Sequence, residues 1–242
     1  LDAQKQAALR GREIALIPQS VNALDPLMRV GKQVSDGRNK TAGLAYRDVF
    51  RRFRLPGQVE RMYPFQLSGG MARKVLVATA AAGGARLIVA DEPTPGLHAD
   101  DVKVILQHLR RLSEQGTSVL LITHDIAAAL QVAPRIAGFF AGTVVEVAPA
   151  SDFSGDGQRL RHPYSQALWR ALPQNGFSPV LSMASPLPMA SDPLRDAPIS
   201  ADERRTGCRY VRFCPFGTAE CGQLWPALFP MRGGMVRCIH AT

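Results

Sequence analysis

Phe65-Gln66-Leu67-Ser68-Gly69-Gly70-Met71, a small-residue run to Gly83-Gly84, and then Leu87-Ile88-Val89-Ala90-Asp91-Glu92-Pro93 form the stretch on which the fold reading turns. Ser68 is a good helix N-cap. Gly69 and Gly70 let a ligand come close to the backbone, and Ala72 to Ala82 is rich in strong helix formers until the glycine pair stops it. Arg86 to Ala90, apolar from Leu87, reads as a strand that carries Asp91 and Glu92 to its C-terminal end. Ligands of open α/β sheets bind in that position. A loop-to-helix start suited to anions and a strand end bearing two acids therefore stand close together in sequence. Two solvated acids at a strand end would be the plain reading of Asp91 and Glu92 alone, and the neighbouring glycine-capped helix argues for the functional one.

Outward from this stretch the chain alternates. Arg12 to Gln19 reads as a short buried strand that ends at Pro18 and leaves Gln19 on a loop. Leu44, Val49, Phe50 and Phe53, with arginines between, predict an amphipathic helix from about Thr41 to Leu55, halted by Pro56-Gly57. Beyond the acids the pattern predicts a helix over 101–114, a strand over 118–123, a helix over 126–131 capped by Asp125, and two strands over 135–140 and 143–147. Such alternation argues for a parallel-sheet α/β core, with a mostly helical subdomain at about 20–84 inserted into it. The domains read as a core at 1–150 and an extension at 151–242. Pro173, Pro179, Pro186, Pro188, Pro193 and Pro198, mixed with serines, predict a linker in the extension that wraps rather than packs.

Composition narrows the partners. The chain has 242 residues, 46% of them hydrophobic, enough for a packed core. Val75 to Ala90 is broken by Gly83, Gly84 and Arg86, so no membrane span is predicted, and nothing at the N-terminus suggests export. A net charge of +9 suits an anionic partner. The basic residues, however, including Arg47, Arg51, Arg52, Arg54, Arg61, Arg73 and Lys74, are scattered or at helical spacing and read as solvated helix faces. No aromatic-rich basic repeat accompanies them, and nucleic acid is not an expected partner.

The Leu-Ser-Gly-Gly run followed by an apolar strand ending in Asp-Glu resembles the signature and the strand motif of ABC-type ATPases, in their order and spacing. The resemblance implies ATP and Mg²⁺ as ligands. It makes Glu92 the carboxylate that polarises the attacking water, Asp91 and Gln19 magnesium contacts, and His124, in Ile122-Thr123-His124-Asp125, the switch histidine that senses the terminal phosphate. Ser68, Gly69 and Gly70 would bind nucleotide held by a second ATPase subunit in a head-to-tail dimer. Within that family Ile14 to Val34 is similar to the Q-loop region of peptide and nickel importers. Tyr63-Pro64-Phe65-Gln66, His162-Pro163-Tyr164-Ser165, Gly207-Cys208-Arg209-Tyr210 and Arg212-Phe213-Cys214-Pro215 also resemble segments of that branch. The likeness implies an ATPase subunit on the cytoplasmic face of the membrane, peripheral, driving import of oligopeptides, dipeptides or a nickel or other chelate. It would work with two permease subunits, a solute-binding protein and a second, related ATPase.

Two departures stand out. The sequence contains no G-x-x-x-x-G-K-[ST] phosphate loop, so the expectation is an ABC ATPase without its opening segment, or a non-hydrolysing partner that supplies a signature half-site. His98 stands in Thr94-Pro95-Gly96-Leu97-His98 where the resemblance leads one to expect aspartate, and reads as a tolerated variant.

Cys208, Cys214, Cys221 and Cys238 are the chain's only cysteines, clustered in its last 35 residues. Cytosolic proteins seldom keep disulfides, so metal ligation by thiolates is the physical alternative. The spacing is less regular than that of a zinc ribbon, and the proline after Cys214 is similar to that of some ferredoxin ligands. A 4Fe-4S cluster is thus favoured over zinc, with four reduced thiols, or a metal-sensing role, as the other readings.

Overall fold

Asp2 accepts the Lys5 amide and starts the first helix, α1 (Ala3–Leu9), ahead of the apolar strand β1 (Ile14–Ile17). The computed structural model describes residues 2–35, 46–176 and 206–241. Two short helices follow β1: α2 (Val30–Ser35) and α3 (Tyr46–Arg52). The expected start of α3 near Thr41, with Leu44, lies outside the described residues. Then come α4 (Gly69–Ala82), β2 (Leu87–Asp91), α5 (Ala99–Glu114), β3 (Ser118–Ile122) and α6 (Ile126–Val132). The three strands form a parallel sheet in the order β1-β2-β3, with Ile17 opposite Ala90 and Asp91 opposite Ile122. Parallel neighbours need crossovers, which here are the helical subdomain between β1 and β2 and the single helix α5 between β2 and β3.

Helix α4 packs on β1 and α5 on β3, and the core lies between them and the helical insert. Ile17, Val34, Phe53, Val75, Ile88 and Ile105 are buried there. The ring of Phe53 meets that of His108 edge-on at 4.6 Å. Burial, with Arg52 and Arg111 nearby, holds His108 down at about 4. Strand β1 is not buried throughout as expected. It alternates, with Ile17 enclosed and Leu16 59% exposed, and Leu120 and Ile122 of β3 are exposed as well. One face of the sheet meets the helices and the other meets solvent.

The chain divides into two compact units at Ala133/Pro134. By this criterion the 1–150 boundary falls inside the second unit, because β4 (Arg135–Phe140) and β5 (Thr143–Pro149) pair with the tail. After β5 come α7 (Pro163–Arg170), α8 (Ala219–Gln223), β6 (Phe229–Met231) and β7 (Gly234–Val236). The four strands form an antiparallel sheet in the order β4-β5-β7-β6. Hairpin β6–β7 has no counterpart in the sequence reading. Arg232 and Gly233, both with positive φ, make its two-residue turn, the backbone that right-handed strand twist favours.

Residues 151–176 are packed rather than linker-like: Pro163 begins α7, and Pro173 opens a 3-10 turn. The remaining linker prolines lie outside the described residues. A buried carboxylate, Glu146 of β5, fixes this region. Its oxygens accept the Arg161 amide at 2.9 Å and the His162 amide at 3.0 Å, while the Arg161 guanidinium pairs with Glu146 and Asp152. Burying the charge is tolerated because its lone pairs are filled.

Candidate functional site

The end of β2 places the acids. Asp91 stays in the strand, whereas Glu92 turns out of it with φ 46°, its amide donating to the Ile122 carbonyl at 2.9 Å. Left-handed backbone costs a residue with a Cβ about 1–2 kcal/mol and persists only where surrounding contacts enforce it. Here side-chain contacts add to the backbone bond with Ile122. Glu92 Oε1 accepts the His124 amide at 3.1 Å and lies 2.7 Å from His124 Nδ1. Its other oxygen, Oε2, is buried with no hydrogen-bond partner in the described structure. The His124 ring is otherwise exposed, and the hydrogen bond to Glu92, then its charge, raises the imidazole above its ordinary value. Asp125 caps α6 by accepting the Ala128 amide at 2.9 Å, a helix cap as expected.

Ser68 caps α4, its hydroxyl accepting the Met71 amide at 3.2 Å. A Cβ at Gly69 would meet nothing within 4 Å, so packing does not demand that glycine and the space beside it stays open. Gly70 is different: a Cβ there would lie 3.3 Å from Leu97. Ser68, Gly70, Met71, Leu97 and His98 share the lining of a cavity of about 250 Å³. Lys74 Nζ closes one side by pairing with Asp101 Oδ1 at 3.1 Å.

The expected solvated arginine-lysine face of this helix is corrected at two positions. Lys74 is buried against Asp101, and Arg73 reaches inward to donate from Nη1 to the carbonyls of Gln19 (2.5 Å) and Glu92 (3.2 Å). Spacing hid both, because helical periodicity does not tell a long side chain that spans to another segment from one that ends in water. Gln19 sits in the loop after β1, exposed, and is tied to Glu92 through Arg73. The structure thus joins Glu92 to His124 directly and Gln19 to Glu92 through Arg73, sets Asp91 beside them at the strand end, and leaves Ser68, Gly69 and Gly70 on the separate face that includes His98.

Among the described residues no group of three or more His, Cys, Asp or Glu side chains is arranged to hold a metal ion. The four cysteines nevertheless line one cavity of the second unit together with His162 and His240. All are free thiols, and the Cys208 amide donates to the Cys221 carbonyl at 2.7 Å. Burial pushes Cys208 and Cys238 up and Cys214 up to about 11, so unligated they are neutral thiols. His162 is buried and held down at about 4. Its Nδ1 accepts the Tyr164 amide at 3.0 Å, leaving Nε2 as a buried donor without a partner in the described structure.

Comparison with known proteins fits this geometry. Residues 2–95 match the ABC transporter family, and residues 145–221 match the oligopeptide/dipeptide transporter C-terminal region. The dipeptide transport ATP-binding protein DppD of Haemophilus influenzae is 32% identical, over 98% of this chain and 72% of its own. DppD of Escherichia coli is 32% identical over 96% and 71%, and a putative peptide import ATP-binding protein of Brucella abortus 31% over 95% and 69%. A dimeric ATP-binding cassette in a post-hydrolysis state, bound to ADP and Pi, superposes with TM-score 0.56 at 28% identity, over 62% of this chain and 68% of that one. The signature helix, the Asp-Glu strand end with its histidine, and these likenesses together make the chain a member of the ATP-binding subunits of ABC transporters, in the oligopeptide and dipeptide importer branch.

Proposed function

We propose that this chain energises the import of oligopeptides or dipeptides across the cytoplasmic membrane by ATP hydrolysis, acting from the cytoplasmic face. The observation that carries the reading is Glu92: one carboxylate oxygen is engaged by His124 and the other is buried and unpartnered at the end of β2. A carboxylate so oriented accepts a proton from a water attacking the terminal phosphate, and His124 keeps it aligned. Bound Mg²⁺ supplies charge neutralisation at the phosphates, with Asp91 and Gln19 as the residues to hold it. Ser68, Gly69 and the amides at the start of α4 offer a positive helix end to phosphate oxygens of nucleotide on a second ATPase subunit. Leu27 and Phe65, exposed on the helical subdomain, suit docking by permease subunits. The solute-binding protein would act through those permeases. In the assembled transporter Glu92→Gln lowers ATP turnover by a factor on the order of 10² or more and peptide uptake with it; unchanged turnover would reject the assignment.

A second reading rests on the open signature face. Ser68 caps α4, and a Cβ at Gly69 would meet nothing within 4 Å, so this face is open to a ligand. A subunit that lends this face to a partner's nucleotide, without hydrolysis of its own, would lose transport on Ser68 substitution yet tolerate Glu92→Gln.

For the cysteine cavity we propose a 4Fe-4S cluster. Each thiolate binds a different iron of such a cluster, so the four need not converge on one ion as zinc ligands do. The buried, partnerless Nε2 of His162 is a donor suited to a sulfur acceptor. The open space between the cysteines is about 10 Å³, so seating a cluster requires their loops to spread.

A further inference from the structure

Arg73 is the one described side chain that donates to the backbones of both Gln19 and Glu92, 54 and 19 residues away in sequence. Both bonds leave the same nitrogen, Nη1, whose two hydrogens lie in the guanidinium plane. Each carbonyl therefore fixes the direction of the other's donor. The Glu92 carbonyl belongs to a residue with φ 46°, and Pro93 after it narrows the available backbone further. The peptide plane on one side of Glu92 is held by the Ile122 carbonyl through the Glu92 amide, and the plane on the other side by Arg73. The side chain in between is aimed at the His124 amide. Releasing Arg73 frees one of two anchors of a conformation that the chain does not prefer.

We propose that Arg73 is a positioning residue that locks the Glu92 backbone to the loop carrying Gln19, so that the base is aligned only while that loop is seated. The signature helix α4, from which Arg73 projects, makes the third member of the lock. Displacement of the Gln19 loop pulls one acceptor away, and Nη1 cannot follow it without abandoning the other. This inference rests on Glu92 as the hydrolytic base, and its test separates the two.

Arg73→Leu and Arg73→Lys are compared in the assembled transporter for ATP turnover, and in the isolated protein for amide exchange. The amides that report are Asn22, which donates to Ser20 beside Gln19, and His124, which donates to Glu92. Arg73→Leu is expected to lower kcat about tenfold while KM for ATP stays within about twofold, the signature of lost alignment rather than lost binding. Exchange at Asn22 and His124 should quicken together. Lysine, which keeps a multi-donor cation, should recover much of both effects. Should the leucine variant not fold, Arg73→Gln is measured in the same way. A folded variant in which only one amide responds, or neither, overturns the lock, as does a rise in KM with kcat unchanged. Should Glu92→Gln turn over normally while the two amides still respond jointly to Arg73, the base assignment fails and the lock stands.

Discussion

At the residue scale the pair Glu92 and His124 carries a pH signature. The contact raises the imidazole, with the hydrogen bond to Glu92 as the largest cause. A histidine raised on folding contributes its stabilisation fully below its unfolded value of 6.5 and loses it as pH climbs through the raised folded value. Imidazole resonances of His124 should therefore titrate above 6.5, and Glu92→Gln should bring the midpoint down again. A midpoint indifferent to that substitution would mean that the ring does not engage Glu92 in solution. The buried Oε2 next to this contact has no hydrogen-bond partner in the described structure, which makes the side chain asymmetric: one oxygen is engaged by His124 and the other is open to the role proposed for it.

At the element scale α4 joins three jobs. Its first turn is capped by Ser68, its middle pairs Lys74 with Asp101 of α5, and Arg73 reaches the ends of β1 and β2. Ser68→Ala removes the acceptor of the Met71 amide and is expected to cost about 1 kcal/mol in chemical denaturation. On the proposed function it should also weaken transport, by loosening the turn assigned to the partner's nucleotide. The loops that bear cysteines are as tightly fitted. A Cβ on Gly207 would lie 2.3 Å from the Gly222 carbonyl oxygen and 2.6 Å from that of Cys221, both backbone atoms that cannot swing aside. Gly207→Ala should lower the melting temperature by forcing these segments apart, an overpacking cost of about 1–3 kcal/mol. An unchanged melting curve would show that the two segments have slack.

At the scale of the whole molecule the chain divides its candidate chemistry between two units, the residues proposed for nucleotide in Leu1–Ala133 and the cysteines in Pro134–Thr242. Anaerobic incubation with ferric iron, sulfide and a thiol reductant is expected to give a brown protein with about four irons per chain, lost on Cys208→Ala. His162→Phe should keep the iron but shift the reduction potential, since it removes the buried donor. Uptake of zinc alone, or a colourless product, would sink the cluster.

The signature helix, the Asp-Glu strand end, the cap at Asp125 and the run of strands through Thr143 were legible from residue order, because caps, glycine stops and hydrophobic period act over a few neighbouring residues. Those rules also made Gln19, Asp91, Glu92 and His124 readable as candidate site residues once the signature stood beside them. The left-handed turn of Glu92 and the inward reach of Arg73 follow from contacts between segments far apart in sequence, and an arginine in a helical pattern reads the same whether its end meets water or a carbonyl. Hairpin β6–β7 likewise left no signal: its strands are three residues each, and the hairpin is held through β7, which pairs with β5 where Glu146 lies opposite Val236. That pairing draws the tail back onto the sheet. Sequence thus determined which chemistry the chain carries, and the tertiary structure decided which backbone groups hold it in place, because long-range hydrogen bonds and strand register depend on distances that residue order does not record.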